Sequence, residues 1–349
     1  MFIHRLALTM LLGLGLTFSA VAQEMTPDEP VLDKIVMKDG SVVLGTVTAS
    51  RDGVVTLDTN FAGTLSIAID QILTLQTYGS ISLQVADGNI FRDRPIRFED
   101  DKLTVTDNNG DQLSYTVDQI LLVNPEPWEL GEGFNWTGNM SFAWVSERGN
   151  SDTDELDYKL ESIWERVEDR FTLRMDGEID EANDQQNADN WTVLGKYDYF
   201  LDGPWYVGVN ISAEADEFAD LDLRYYLGPY VGRKFYDEPI FSLEGELGLA
   251  YVSEDFISAE DQDYVGANWS VKLASNYLGG DSRLYIDHIG IWNLDRTEDI
   301  ILNTTFGLAF PLLGRLEGAA EILYEYDSGA VEGIEDLDQT YRLRVGYTW

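Results

Sequence analysis

From Phe134 to Trp349 the chain alternates, with apolar and aromatic side chains at one parity and charged or small ones at the other. A period of two residues puts successive side chains on opposite faces of a β-strand. Trp136, Met140, Phe142 and Trp144 set the pattern, and Leu156, Tyr158, Leu160 and Trp164 repeat it. Twelve such segments begin near residues 135, 156, 171, 191, 205, 223, 240, 264, 282, 300, 316 and 339. Each has about the ten residues that a tilted strand needs to cross a bilayer. The connections alternate as well. After odd segments they are long and acidic ("SERGNSDTDE", "EANDQQNADN", "EADEFADLD", "SEDFISAEDQD", "LDRTED", "YDSGAVEGIEDLD"), and after even ones they are tight ("VEDR", "LDGP", "YDEP", "LGGD", "LLGR"). Outer-membrane barrels are built in this way, with long loops outside and short turns on the periplasmic side. A soluble sandwich has no reason for so strict an alternation. The fold expected for residues 134–349 is a twelve-stranded antiparallel transmembrane β-barrel in outer-membrane lipid.

The chain ends on "YRLRVGYTW". Tyr341, Leu343, Val345, Tyr347 and Trp349 share one face, while Arg342 and Arg344 lie on the other. An edge strand this apolar would invite aggregation in a soluble protein. It is expected to close the barrel against the first strand, and its aromatic end resembles the signal read by the outer-membrane assembly machinery.

Composition narrows the functional classes. A net charge of −40 repels nucleic-acid phosphates and excludes them as partners. The absence of cysteine excludes disulfides and thiolate metal sites. An aromatic content of 12% is inconsistent with an acidic disordered chain. Residues 1–22 combine a basic start at His4 and Arg5, an apolar run from Leu6 to Phe18, and small residues at Ala20 and Ala22. They read as a signal peptide cleaved after Ala22, so the rest is exported.

Between signal and barrel the chain repeats itself. Asp39-Gly40 matches Asp87-Gly88, Thr56 matches Thr104, Leu65-Ser66 matches Leu113-Ser114, and the tetrapeptide from Asp70 to Leu73 recurs from Asp118 to Leu121 without a gap. Shared spacing over the whole length marks an internal duplication. Short alternating strands punctuated by Asp-Gly and Asn-Gly turns resemble small SH3- or Sm-type β-barrels, expected at residues 31–77 and 78–124 in the periplasm. No basic aromatic face accompanies them, so RNA binding is not implied. A periplasmic protein could dock on residues 31–124 by strand addition. The stretch 125–133, with Pro125, Pro127, Gly131 and Gly133, reads as a linker.

At the inward positions of the barrel stand Asp157, Lys159, Glu161, Glu165, Arg174, Asp176, Glu178, Glu244, Glu246, Lys272, Glu317, Glu321, Glu325, Arg342 and Arg344. A lumen this charged must be hydrated or internally paired. Twelve strands lie between the filled eight-stranded barrel and the open sixteen-stranded porin. Two readings are equally supported: a narrow, cation-preferring channel, and a closed barrel braced by ion pairs that tethers the periplasmic units. The acidic loops point to divalent cations as further partners, with a merely solvated rim as the plainer alternative.

Enzyme chemistry finds little footing. A nucleophilic hydrolase needs a base beside its hydroxyl. His288 in "LYIDHIGIWN" is the one histidine left after export, with Asp287 and Asn293 nearby and Ser270 and Ser282 as the nearest hydroxyls in the sequence. Neither serine has a recognisable context, and a barrel-wall histidine is the expectation. No phosphate-binding glycine loop or EF-hand is present, and no cofactor, metal or catalytic residue is expected.

Residues 134–349, with "WTGNMSFAWVSERGNSDTDEL" at one end and "YRLRVGYTW" at the other, resemble the salt-induced outer-membrane proteins (the YdiY-like family, a domain of unknown function). The duplicated unit resembles one that precedes some of its members. The resemblance implies an outer-membrane location and supplies no catalytic residues.

Overall fold

The computed structural model describes residues 32–51, 53–99, 102–106, 111–147, 153–183, 185–238, 240–279, 282–330 and 334–349. The expected signal peptide lies outside them. The chain divides into two compact units, Met1–Pro125 and Glu126–Trp349.

In the first unit the duplication is visible element by element. Strands β1 (Asp33–Met37), β2 (Val42–Arg51), β3 (Val54–Thr59), β4 (Gly63–Ala68) and β5 (Ile72–Gln76) form the first copy. The second holds β6 (Ile81–Val85), β7 (Ile90–Arg94), β8 (Phe98–Glu99), β9 (Lys102–Thr106), β10 (Gln112–Tyr115) and β11 (Ile120–Val123). The extra strand arises because β2 is continuous while its counterpart is cut in two. Pro95 cannot donate to a ladder, and Asp93 takes a left-handed φ of 52°.

The copies do not close as two separate barrels, as the sequence suggested. The last strand of each reaches the second strand of the other. Val123 on β11 pairs with Ser50 on β2, and Gln76 on β5 bridges Arg97 beside β8. Arg51 fastens the first junction, donating to the Val123 and Asn124 carbonyls at 2.8 and 3.0 Å. Thr77 fastens the second, its N–H on the Ile96 carbonyl and its hydroxyl accepting from the Ile96 N–H. One core results, in which Ile35, Leu57 and Leu75 of the first copy pack with Leu83, Val85 and Val123 of the second. Burial of such side chains contributes ~1.5–3 kcal/mol each before entropy is counted, and neither copy alone supplies the whole core.

In the second unit the expected linker is partly ordered, since Pro127–Leu130 form a 3₁₀ turn stopped by Gly131 in the left-handed region. The strands β12 (Asn135–Glu147), β13 (Thr153–Glu165), β14 (Asp169–Ala182), β15 (Gln185–Phe200), β16 (Trp205–Asp216), β17 (Leu221–Asp237), β18 (Phe241–Phe256), β19 (Gln262–Ser275), β20 (Arg283–Asn293), β21 (Ile300–Leu313), β22 (Leu316–Asp327) and β23 (Leu337–Thr348) follow. They pair antiparallel in chain order, and β23 pairs back with β12 to close the ring. Among the described residues this is a closed barrel of twelve strands.

Faces follow parity. Along β23, Tyr341 and Leu343 are 70% and 78% exposed while Arg344 is 4% exposed, so the aromatic row faces outward and the arginines inward. The seam is fastened by Trp349, whose backbone exchanges hydrogen bonds with Gly138 at 3.1 and 3.2 Å and whose ring meets Trp136 edge-on at 5.7 Å.

Three of the loops expected to be long are largely strand. β14 runs to Ala182 and β15 starts at Gln185, so "EANDQQNADN" is a hairpin end. β16 runs to Asp216 and β18 to Phe256, which absorbs Glu214 and Glu254 into the wall. These stretches are polar on both faces, so hydropathy carries no period there while backbone pairing continues regardless.

Candidate functional site

The barrel interior is organised around four arginines. Arg170 on β14 donates to Asp198 on β15 and to Glu244 on β18, both at 2.7 Å. Arg174, two inward positions further along β14, bonds Glu161 on β13 and reaches Asp287 on β20 at 2.9 Å. β20 stands six strands from β14 in either direction round the ring, so this ion pair joins opposite walls. Arg342 on β23 holds Asp157 at 2.7 Å together with Glu178. Arg224 on β17 holds Glu214, Glu254 and Asp327 at 2.8, 2.7 and 3.0 Å.

Lysines and the remaining arginines fill the gaps. Lys159 bonds Glu321 at 3.2 Å, and Arg344 bonds the same carboxylate at 2.8 Å. Lys196 grips Glu246 at 2.6 Å, with Ser270 donating to that carboxylate at 2.7 Å. Lys272 lies 3.8 Å from Glu161, Glu165 lies 3.9 Å from Lys234, and Glu317 lies 3.4 Å from Arg283. Of the fifteen lumen residues expected from the sequence, thirteen are therefore in ion pairs. Asp176 and Glu325 have none among the described residues, and both line a 150 Å³ cavity inside the barrel.

Tyrosines complete the girdle through a backbone device. Tyr206 lies over Gly232, its partner across β16 and β17, and Tyr230 lies over Gly208 in the reciprocal pair. A Cβ at either glycine would overlap the ring, so the absent side chain is what lets each phenol lie flat against the wall. The Tyr206 hydroxyl then reaches Glu244 and Glu246, and that of Tyr230 reaches Asp198. Further toward the loops an apolar cluster of Leu194, Tyr226, Val252 and Ile291, packed with Ile301, fills lumen that water would otherwise occupy.

Two larger cavities lie at the ends. The one at the loop end measures about 490 Å³ and is lined by ten carboxylates, including Glu178, Glu254 and Asp336, against a single cation, Arg224. The one at the turn end measures about 390 Å³ and is lined by seven carboxylates and seven cations. Fixed charge in the lumen is thus strongly polarised toward the loops.

His288 is remote from all of this. Its neighbour Asp287 points into the lumen, so by parity the imidazole lies on the outer wall. Trp269 donates its indole N–H to His288 Nε2 at 3.0 Å, and Nδ1 meets the Thr304 hydroxyl at 2.8 Å. An accepting Nε2 leaves the proton on Nδ1, so the ring is neutral and both nitrogens are occupied. Ser270 points to the other side of the wall, and Ser282 lies in the turn before β20. No triad forms among them. Among the described residues no group of three His, Cys, Asp or Glu side chains is arranged to hold a metal ion, and no helix is long and apolar enough to cross a membrane.

Sequence reasoning missed Arg170, Arg224 and Lys234 as lumen residues. Arg170 and Lys234 sit at strand ends beside turns, and Arg224 follows a stretch read as loop. Strand parity counted from Arg174 on β14 and from Tyr226 on β17 would have found them.

No curated protein matches the chain. Among solved structures it is similar to the translocator domain of the autotransporter NalP from Neisseria meningitidis (13% identity, 63% of this chain and 89% of that one, TM-score 0.38). It is also similar to the NanC porin (12%, 62% and 99%, TM-score 0.39) and to the β domain of the Bordetella autotransporter Brka (10%, 62% and 98%, TM-score 0.29). Residues 140–349 match the family described as "Protein of unknown function, DUF481", and the chain belongs to that family.

Proposed function

We propose that the protein is an outer-membrane barrel held shut across its middle, serving as the anchor for its N-terminal β unit rather than as an enzyme. The tie between Arg174 and Asp287 on opposite walls carries this reading, because an ion pair there occupies the axis along which a solute would have to pass. An outward apolar band, and an even strand number that brings both ends of the barrel to the short-turn side, support insertion with the N-terminal unit in the periplasm. The edge strands β4 and β10 offer unpaired backbone to a protein partner by strand addition.

A second reading is favoured by one observation. Ten carboxylates around the loop-end cavity would concentrate cations, so a barrel whose girdle parted would pass cations over anions. Planar-bilayer recording of the folded protein in a KCl gradient separates the two. The closed reading expects a silent bilayer. Steady unitary conductance with a potassium-selective reversal potential would overturn it in favour of the channel.

A further inference from the structure

Of the lysines and arginines on the described barrel strands, eleven in all, ten point into the lumen; Arg233 on β17 is the exception. Its neighbours Gly232 and Lys234 have lumen parity, so Arg233 projects from the outer wall. It pairs in register with Trp205, the first residue of β16 after a short turn, which places it at the turn end of the barrel. Its guanidinium carbon lies 5.1 Å from the Trp205 ring centre and 5.1 Å from that of Phe235. Tyr236 and Phe241, edge to face at 5.4 Å, continue the aromatic belt at this level. Among the described residues no carboxylate lies within ion-pair distance of Arg233, and its buried Nε has no hydrogen-bond partner.

A guanidinium on a lipid-facing wall is costly unless an anion meets it. Every other strand cation in this barrel has a carboxylate, or lies in a lumen full of them. Two aromatic faces hold the Arg233 fork in place by cation–π attraction while leaving its N–H groups for an incoming acceptor. At the turn end, where the hydrocarbon gives way to headgroups, the acceptor that fits a planar fork is a phosphodiester.

We propose that Arg233, Trp205 and Phe235 form a binding site for the phosphate of a glycerophospholipid in the periplasmic leaflet. The guanidinium takes the phosphate oxygens, and the exposed rings of Trp205 and Phe235 border the first carbons of the acyl chains. The site deepens the membrane reading above, because it needs the barrel to be inserted with its short turns toward the periplasm.

Native mass spectrometry of the intact, detergent-purified protein titrated with palmitoyl-oleoyl phosphatidylglycerol tests it. The expected result is one tightly held lipid, about 10-fold weaker in Arg233→Gln, which corresponds to loss of one charge-assisted interaction, and only partly restored by Arg233→Lys, which returns the charge without the fork. Diacylglycerol, which lacks the phosphate, should bind wild type and Arg233→Gln alike. Equal phosphatidylglycerol affinity in wild type and Arg233→Gln would overturn the proposal, as would displacement of the lipid by millimolar inorganic phosphate, which would mark a plain anion site. Each variant is first shown to keep its heat-modifiable folded form on gels. If the folded variants lose the lipid-binding difference, the phosphate site fails; if wild type itself never folds into bilayers, the membrane reading fails instead.

Discussion

Arg174 on β14 and Asp287 on β20 meet at 2.9 Å although their strands stand on opposite sides of the ring. Both side chains are mostly buried, at 15% and 23% exposure, and Arg174 also holds Glu161. Paired charges of this kind are worth little net stability against an apolar core, but breaking one leaves its partner stranded. Their presence therefore bears more on the state of the lumen than on the strength of the fold.

Replacing Arg174 by Ala removes the cross-lumen tie and leaves Glu161 and Asp287 facing each other without it. The expected outcome is a folded barrel, destabilised by up to ~3–5 kcal/mol, that conducts and prefers potassium to chloride. Bilayer recordings showing that Arg174→Ala stays as silent as wild type would mean that the girdle does not depend on this residue.

The tyrosine–glycine pairs make a separate prediction about packing. In Gly232→Ala the new methyl displaces the Tyr206 ring, which gives up its bonds to Glu244 and Glu246 and its place 5.4 Å from Arg170. Overpacking of this type costs ~1–3 kcal/mol. A urea unfolding series in lipid vesicles should show that loss for Gly232→Ala, and a smaller one once Tyr206 is also made Ala. Additive losses in the double variant would show that the ring and the glycine do not interact.

Much of the barrel could be read in advance because parity is a local property. The starts of β12, β16, β21 and β22 at residues 135, 205, 300 and 316 coincide with expectation, since each follows a turn and opens directly on alternation. β15 begins six residues earlier than expected, at Gln185, because Gln185 to Asn190 are polar apart from Ala188 and show no alternation, so only backbone pairing defines the strand. Inward residues were legible for the same reason that their partners were not. Alternation assigns Arg174 to the lumen, but the choice of Asp287 depends on strand tilt and stagger around the whole ring. In the N-terminal unit the repeat was plain from matched Asp-Gly turns, whereas the exchange of β5 and β11 between copies rests on contacts such as Arg51 with Val123 that no local pattern encodes.

The seam between β12 and β23 is held by the final residues. Met140 pairs with Tyr347, and Trp349 adds the two backbone bonds to Gly138 and the ring contact to Trp136. Deleting residues 347–349, or changing Tyr347 and Trp349 to Asp, should abolish the folded, heat-modifiable form and surface accumulation. Aspartate on the lipid face adds a cost that grows with depth. Wild-type folded levels in both variants would show that the ring closes without this strand end.

In the N-terminal unit, Asp39 and Asp87 cap equivalent turns. The backbone N–H of Ser41 holds the Asp39 carboxyl below the usual range, and the backbone N–H of Asn89, with the Tyr115 hydroxyl, does so for Asp87. A depressed folded pKa contributes stability above the ordinary carboxylate pKa, and the contribution is lost as pH falls through the folded value. Residues 23–130 expressed alone should fold cooperatively and lose stability as pH falls below the ordinary carboxylate pKa. Asp87→Asn should be less stable at pH 7 and lose less on acidification. Parallel pH profiles for the two proteins, from thermal melts, would remove Asp87 from the account.

Arg224 is the single cation lining the loop-end cavity, and three carboxylates converge on it from β16, β18 and β22. Arg224→Gln keeps a polar side chain of similar length but removes the charge, so Glu214, Glu254 and Asp327 then repel one another with nothing between them. The variant should be destabilised by ~3–5 kcal/mol in low salt. Monovalent salt should recover part of that loss by screening, whose reach shrinks from about 8 Å at physiological ionic strength to about 3 Å at 1 M. A divalent cation can do more, because converging carboxylates are the oxygen ligands that calcium takes. Millimolar Ca²⁺ should therefore raise the melting temperature of Arg224→Gln well above the value reached in NaCl of equal ionic strength, while wild type responds equally to both. An equal response of the variant to the two salts would reduce the effect to screening, and a wild type that gains as much from Ca²⁺ as the variant would place the calcium-binding carboxylates elsewhere, among the loops.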